Sequence, residues 1–213
     1  MIPEQKAGEL VWRHMGFRFL HFAISIVLAG LMVGWFWIPE SSAVSVATSL
    51  AGAILLAVFA LVWIGATLVY YRQPTVRAAL SAASRHLPAL VVWGALGALL
   101  VWASAARVPW WASWIVIPAI LAPVGWSVTA NGFAGFAPRK WPLKSLRAYP
   151  VIAIAGVLLP FLLTQWHPEL PGIVLQSISL AIRWALAAAA AVTAWLFLAA
   201  LLATQAEAPA ATS

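Results

Sequence analysis

Four histidines and five glutamates hold nearly all the acid–base and metal-ligating capacity of this chain. It has no cysteine and no aspartate. Disulfides, thiolate metal sites, cysteine nucleophiles and aspartate-held metals therefore drop out at once. His21 and His86 are the pair worth weighing, since each stands near the start of an apolar stretch. Two histidines from different helices can ligate a haem iron, so one reading is a b-type haem or a quinone site in an electron-transfer subunit. The plainer reading is that each lies within about a turn of a membrane interface, reaches a carbonyl or a headgroup, and needs no cofactor. His14 with His21, or His167 with Glu169, could begin a zinc site, but neither pair has a third good ligand close by.

The placement of the carboxylates narrows the field further. Glu4, Glu9, Glu40, Glu169 and Glu207 all fall outside or at the edge of the apolar runs. Ion-coupled carriers commonly place an acid within the membrane to mark the ion path. The sequence has no G-x-S-x-G nucleophile turn, no H-E-x-x-H zinc helix and no P-loop. We therefore read the chain as non-catalytic. The most distinctive polar stretch is SVTANGFAGF, which follows Pro118 and Pro123. Its Ser127, Asn131, Gly132 and Gly135 could line a cavity or substrate path, or could let helices approach closely. Gly30-x-x-x-Gly34 and the run Ala187 to Ala191 are small-residue faces of the second kind.

The elements that must position these residues are apolar and long. Residues 19–38 read FLHFAISIVLAGLMVGWFWI, without Asp, Glu, Lys or Arg. About 20 such residues span a hydrocarbon core roughly 30 Å thick. Comparable runs follow at 46–69, 88–106, 112–132, 148–165 and 184–203. The expected fold is therefore all-α: a polytopic helical bundle with six transmembrane helices in one membrane domain, 1–204. Shorter amphipathic stretches at 9–18, 75–86 and 173–183 read as interfacial helices. Pro118 and Pro123 predict a kink or an unwound turn in the fourth span. Residues 205–213 read as a flexible tail. The first apolar run is too long, and too far from the start, for a typical signal peptide, and is read as an uncleaved span.

Composition agrees with this reading. The chain has 213 residues, 64% hydrophobic and 8% charged, where a soluble domain has about 25% charged. The net charge of +7 does not indicate nucleic acid, because the cations sit in short connections where anionic headgroups are the nearer partner. With six spans, one side carries Lys6, Arg13, Arg18, Arg72, Arg77, Arg85, Arg139, Lys140, Lys144 and Arg147. The other carries Arg107 and Arg183. The loops are short, so the positive-inside rule places both termini in the cytoplasm. Anionic phospholipid is the expected contact of Arg77, Arg85, Arg139, Lys140, Lys144 and Arg147. Arg183 is expected to reach a headgroup or a partner subunit on the other side.

A repeat is also legible. Placing Arg18 over Arg147 puts Trp37 on Trp166, Pro39 on Pro168 and Glu40 on Glu169. Three tandem hairpins of one orientation would give this pattern, and so would the interface preferences of Arg and Trp alone. Together these features suggest a multi-pass protein of a bacterial cytoplasmic membrane. Its expected role is that of an accessory, assembly or scaffolding subunit against a membrane partner, a second copy or lipid. The alternatives are a permease using the proline-bearing span and the haem or quinone subunit.

Overall fold

The computed structural model describes residues 2–35, 37, 41–105, 107–166, 168–169 and 171–206, with the side chains of 105, 110–114, 144–146 and 206 outside that description. All the regular structure among the described residues is helical. In order come α1 (Pro3–Arg13), α2 (Met15–Trp35), α3 (Ala43–Val69), α4 (Val76–Arg85), α5 (Leu87–Ala105) and α6 (Trp110–Asn131). Three short 3-10 turns cover Gly132–Phe136, Pro138–Lys140 and Leu143–Ala148. Then follow α7 (Tyr149–Ala153), a π-helical turn at Ile154–Leu158, α8 (Leu159–Gln165) and the long α9 (Ile173–Ala206).

Five of these helices, α2, α3, α5, α6 and α9, are long and apolar enough to cross a membrane, and Tyr149–Gln165 is a shorter apolar helix. The chain is thus an all-helical protein consistent with a membrane-spanning bundle. Local chemistry sets several boundaries. Pro3 opens α1, where its missing N–H costs nothing. Ser42 and Ser45 cap α3 reciprocally, and the Thr75 hydroxyl accepts from the Ala78 N–H at the start of α4. His14 interrupts the first helical stretch, so α1 and α2 are separate.

One expectation needs adjustment. The fourth span does not unwind at its prolines: α6 stays helical through Pro118 and Pro123. The helix is tied to its neighbours on this stretch. The Tyr149 hydroxyl donates to the Ile115 carbonyl at 2.6 Å, and the Trp93 indole donates to the Leu121 carbonyl at 3.0 Å. The stretches 173–183 and 184–203 are continuous in a single helix. All 34 residues of α9 form one helix, about 51 Å long.

Packing is uneven along the bundle. At the end carrying α1, α4 and the 3-10 turns, residues 65–71 at and just beyond the end of α3, residues 122–129 of α6 and residues 198–203 of α9 are buried. Small residues allow close contact here: a Cβ on Gly125 would meet the Trp93 ring at 2.6 Å, and one on Gly156 would meet Ala194 at 2.8 Å. At the other end α2, α3 and α9 expose apolar side chains almost all round, including Leu31, Val33, Leu55, Ile173 and Ile182. There α2 and α3 are joined by the Trp35 indole donating to the Ser49 carbonyl at 3.0 Å. Consecutive helices pack together: α2 on α3, α5 on α6, and α8 on α9.

Candidate functional site

The densest polar and aromatic cluster lies where α1 and α2 meet the end of α3. His21 is 5% exposed. Its ring lies nearly parallel to Trp63, 16° between planes, and its Nδ1 is 3.2 Å from the Thr67 hydroxyl. That hydroxyl donates its own hydrogen to the Trp63 carbonyl at 2.8 Å. The ring nitrogen is therefore the donor to Thr67, so Nδ1 carries a hydrogen. One turn earlier on α2, Phe17 stacks face to face on Tyr70 at 3.5 Å between centroids. His14 donates from Nδ1 to the Leu10 carbonyl and meets Tyr70 and Tyr71 edge-on. The Tyr71 hydroxyl is buried and has no hydrogen-bond partner. Burial pushes it well above its ordinary value, Tyr70 adds to the rise, and the Arg18 guanidinium opposes it.

The structure does not bring His21 and His86 together. His86 ends α4, with its ring against Gly132; a Cβ there would lie 2.8 Å from His86 Nδ1. His21 meets the Trp63–Thr67 face of α3. Gly65 faces the other way, toward Ala83, Leu90 and Thr129 of α4, α5 and α6. The body of α3 thus stands between the two histidines. Among the described residues no group of three His, Cys, Asp or Glu is placed to hold a metal ion. His167, the partner considered for Glu169, lies outside the described residues, as do Pro39 and Glu40 of the repeat and residues 207–213 of the tail.

The stretch from Ser127 to Gly135 forms a tight reversal. Gly132 ends α6 at φ 62, ψ −142, a region essentially restricted to glycine. The chain then doubles back so closely that a Cβ on Gly135 would fall on the backbone of Ser127 and Val128. Ser127 is fully buried beneath it, its hydroxyl without a partner. Asn131 is exposed and donates to the Ser127 carbonyl of its own helix at 3.0 Å. The Trp141 indole closes the turn on the Gly135 carbonyl at 3.0 Å. Gly132 and Gly135 are thus packing positions in this reversal.

The cationic residues gather mainly at the same end. Arg77, Arg85, Arg139 and Arg147 are exposed and Lys140 is half-buried, while the Lys144 side chain lies outside the described residues. On α4, Ala79 and Ala83 are buried, and Arg77, Ser81, Ser84 and Arg85 face out. Arg72 lies over the Trp126 ring at 5.6 Å, a cation–π contact that nothing in the residue spacing announces. Trp63 and Thr67 were likewise invisible as partners of His21. Arg183 departs most from a surface cation: it is buried, with its Nε donating to the Ser179 carbonyl and its Nη1 unpartnered.

No protein-family model matches the chain, and no curated protein or solved structure does. Any functional reading therefore rests on the residues themselves.

Proposed function

We propose that this chain is a multi-pass accessory or scaffolding subunit of a bacterial cytoplasmic membrane. On this reading it has six crossings, both termini inside, and it acts by holding a partner helix rather than by chemistry. One observation carries the reading. Between α2 and α3, at the loosely packed end, runs an apolar groove of about 560 Å³ lined by Leu31, Trp35, Leu55 and Phe59. Gly30, Gly34 and Gly52 also line it, and among the described residues nothing beyond their own stretch of helix lies within 4 Å of where their Cβ atoms would stand. Such glycines in a membrane helix favour close approach of a second helix. Among the described residues they receive none.

The basic end contributes to the same reading. Its exposed arginines face the side on which anionic headgroups would lie, which would orient the subunit and leave the groove toward the opposite leaflet. A photo-crosslinking residue in place of Leu31, at native expression in the native membrane, tests the idea. The expected result is one discrete protein adduct, with a second copy or another chain. It should be lost with Gly30→Leu while the variant still folds, because the space at Gly30 is open. Adducts to lipid alone would refute the partner reading.

A further inference from the structure

Among the described residues Arg183 is the only buried arginine or lysine, at 7% exposure. Its Nε reaches the Ser179 carbonyl at 3.3 Å, and its Nη1 has no partner. A guanidinium taken out of water without a counter-charge is strongly unfavourable, and here it is held at the wall of a cavity. The cavity, about 420 Å³, lies over the first turns of α9 and the connection before it; Gln176, Ser177 and Ser179 give it polar lining, and Pro168 and Leu180 apolar walls. That volume falls within the roughly 300–1,000 Å³ usual for small-ligand sites. Glu169 lines the same cavity, is exposed, and makes no ion pair with Arg183 among the described residues.

The two charges limit what can enter. A simple anion would meet Arg183 favourably and Glu169 unfavourably; a simple cation would meet the reverse. A ligand with both signs a few bonds apart satisfies both walls. Phosphate suits the fork of N–H donors on arginine, and a primary ammonium suits a carboxylate. The position along the chain is compatible with a headgroup, because Arg183 directly precedes residues 184–203, the stretch read from the sequence as the sixth span. We infer that the Arg183–Glu169 cavity binds a zwitterionic phosphoethanolamine group, with the phosphate on Arg183 and the ammonium on Glu169. Two sources share this chemistry: the headgroup of a membrane phospholipid and a free zwitterion of the same class. The site shares no residue with the α2–α3 groove, so it and the partner reading can fail separately.

The test uses the full chain in detergent, stripped of lipid. Native mass spectrometry would measure retention of phosphatidylethanolamine and of phosphatidylglycerol. Thermal shift with O-phosphoethanolamine would separate the sources: a response to lipid alone identifies the headgroup, and a response to both identifies a site open to the free zwitterion. Arg183→Gln should weaken retention about tenfold or more, as expected for losing a charge-assisted pair. Glu169→Gln should abolish the preference for ethanolamine over glycerol headgroups while retaining binding, a change that a merely structural role would not produce. If Arg183→Gln does not fold, the headgroup preference of Glu169→Gln decides the matter. A wild-type chain that binds neither probe, or variants that match wild type in both amount and preference, would overturn the assignment.

Discussion

Tyr71 is the residue whose behaviour follows most directly from its surroundings. Its hydroxyl is buried without a partner, and a buried polar group left unsatisfied costs roughly 1–3 kcal/mol. Tyr71→Phe removes that hydroxyl and keeps the ring against His14 and Phe17. The expected outcome in detergent is a Tm equal to or above that of wild type. The pH dependence has a defined sign. Burial raises the folded-state value above the ordinary 10.0, so above that pH the unfolded chain holds fewer protons than the folded one. Stability is then fully present below pH 10 and falls as pH rises through the raised folded value. Melting curves from pH 9 to 11 should show a shallower alkaline loss in Tyr71→Phe. Equal slopes would mean that the hydroxyl is solvated. His21 is the contrasting case, since its Nδ1–H has a partner in Thr67 and its ring has one in Trp63.

At the scale of elements, the reversal after α6 ties the helices to the basic cap. Gly135 lies directly on the backbone of Ser127, so even one methyl group must displace the turn. Overpacking of this kind costs about 1–3 kcal/mol. Gly135→Ala should lower thermal stability by that order and loosen the Trp141 indole from the Gly135 carbonyl, which tryptophan fluorescence can follow. An unchanged melting point would show that the turn is free to move. Gly30 and Gly34 are the converse, with open space around them; larger side chains there should change association and leave the monomer's stability intact. The π-helical turn at Ile154–Leu158 lies beside the close Gly156–Ala194 contact. Such single π-turns are rare insertions within α-helices, and here one accompanies the approach of the short helix to α9.

For the whole molecule, orientation is the property with the cleanest test. The chain has no native cysteine, so single cysteines report without background. Ser81 on the outer face of α4 and Val108 in the α5–α6 connection are both exposed. With the basic end inside, a membrane-impermeant maleimide applied to intact cells should label Val108→Cys and spare Ser81→Cys until the cells are opened. The reverse pattern would invert the molecule and place the Arg183 cavity in the cytoplasm. The uneven packing matters at this scale too. A bundle tightly buried at one end and apolar to its surface at the other is stable in lipid or against a partner, since lipid tails are as apolar as leucine.

Several of these features were legible from composition and order alone. Long uncharged runs must be helices in oil, because no other open backbone arrangement satisfies its hydrogen bonds there. The amphipathic spacing of 75–86, with Arg77 and Arg85 opposite the alanines, follows from the 3.6-residue period and gives α4 its exposed and buried faces. The glycines of the fourth span could be marked as packing or lining residues, but not told apart, since small size serves both. What only the tertiary structure decided are the meetings between distant parts of the chain: His21 with Thr67, Arg72 over Trp126, Gly135 on Ser127, and α3 standing between His21 and His86. In a nearly all-apolar sequence every helix face looks equally fit for burial, so periodicity cannot say which face meets a neighbour and which meets lipid. That ambiguity also hid the burial of Arg183, which the chain order shows only as a lone cation beside a tryptophan.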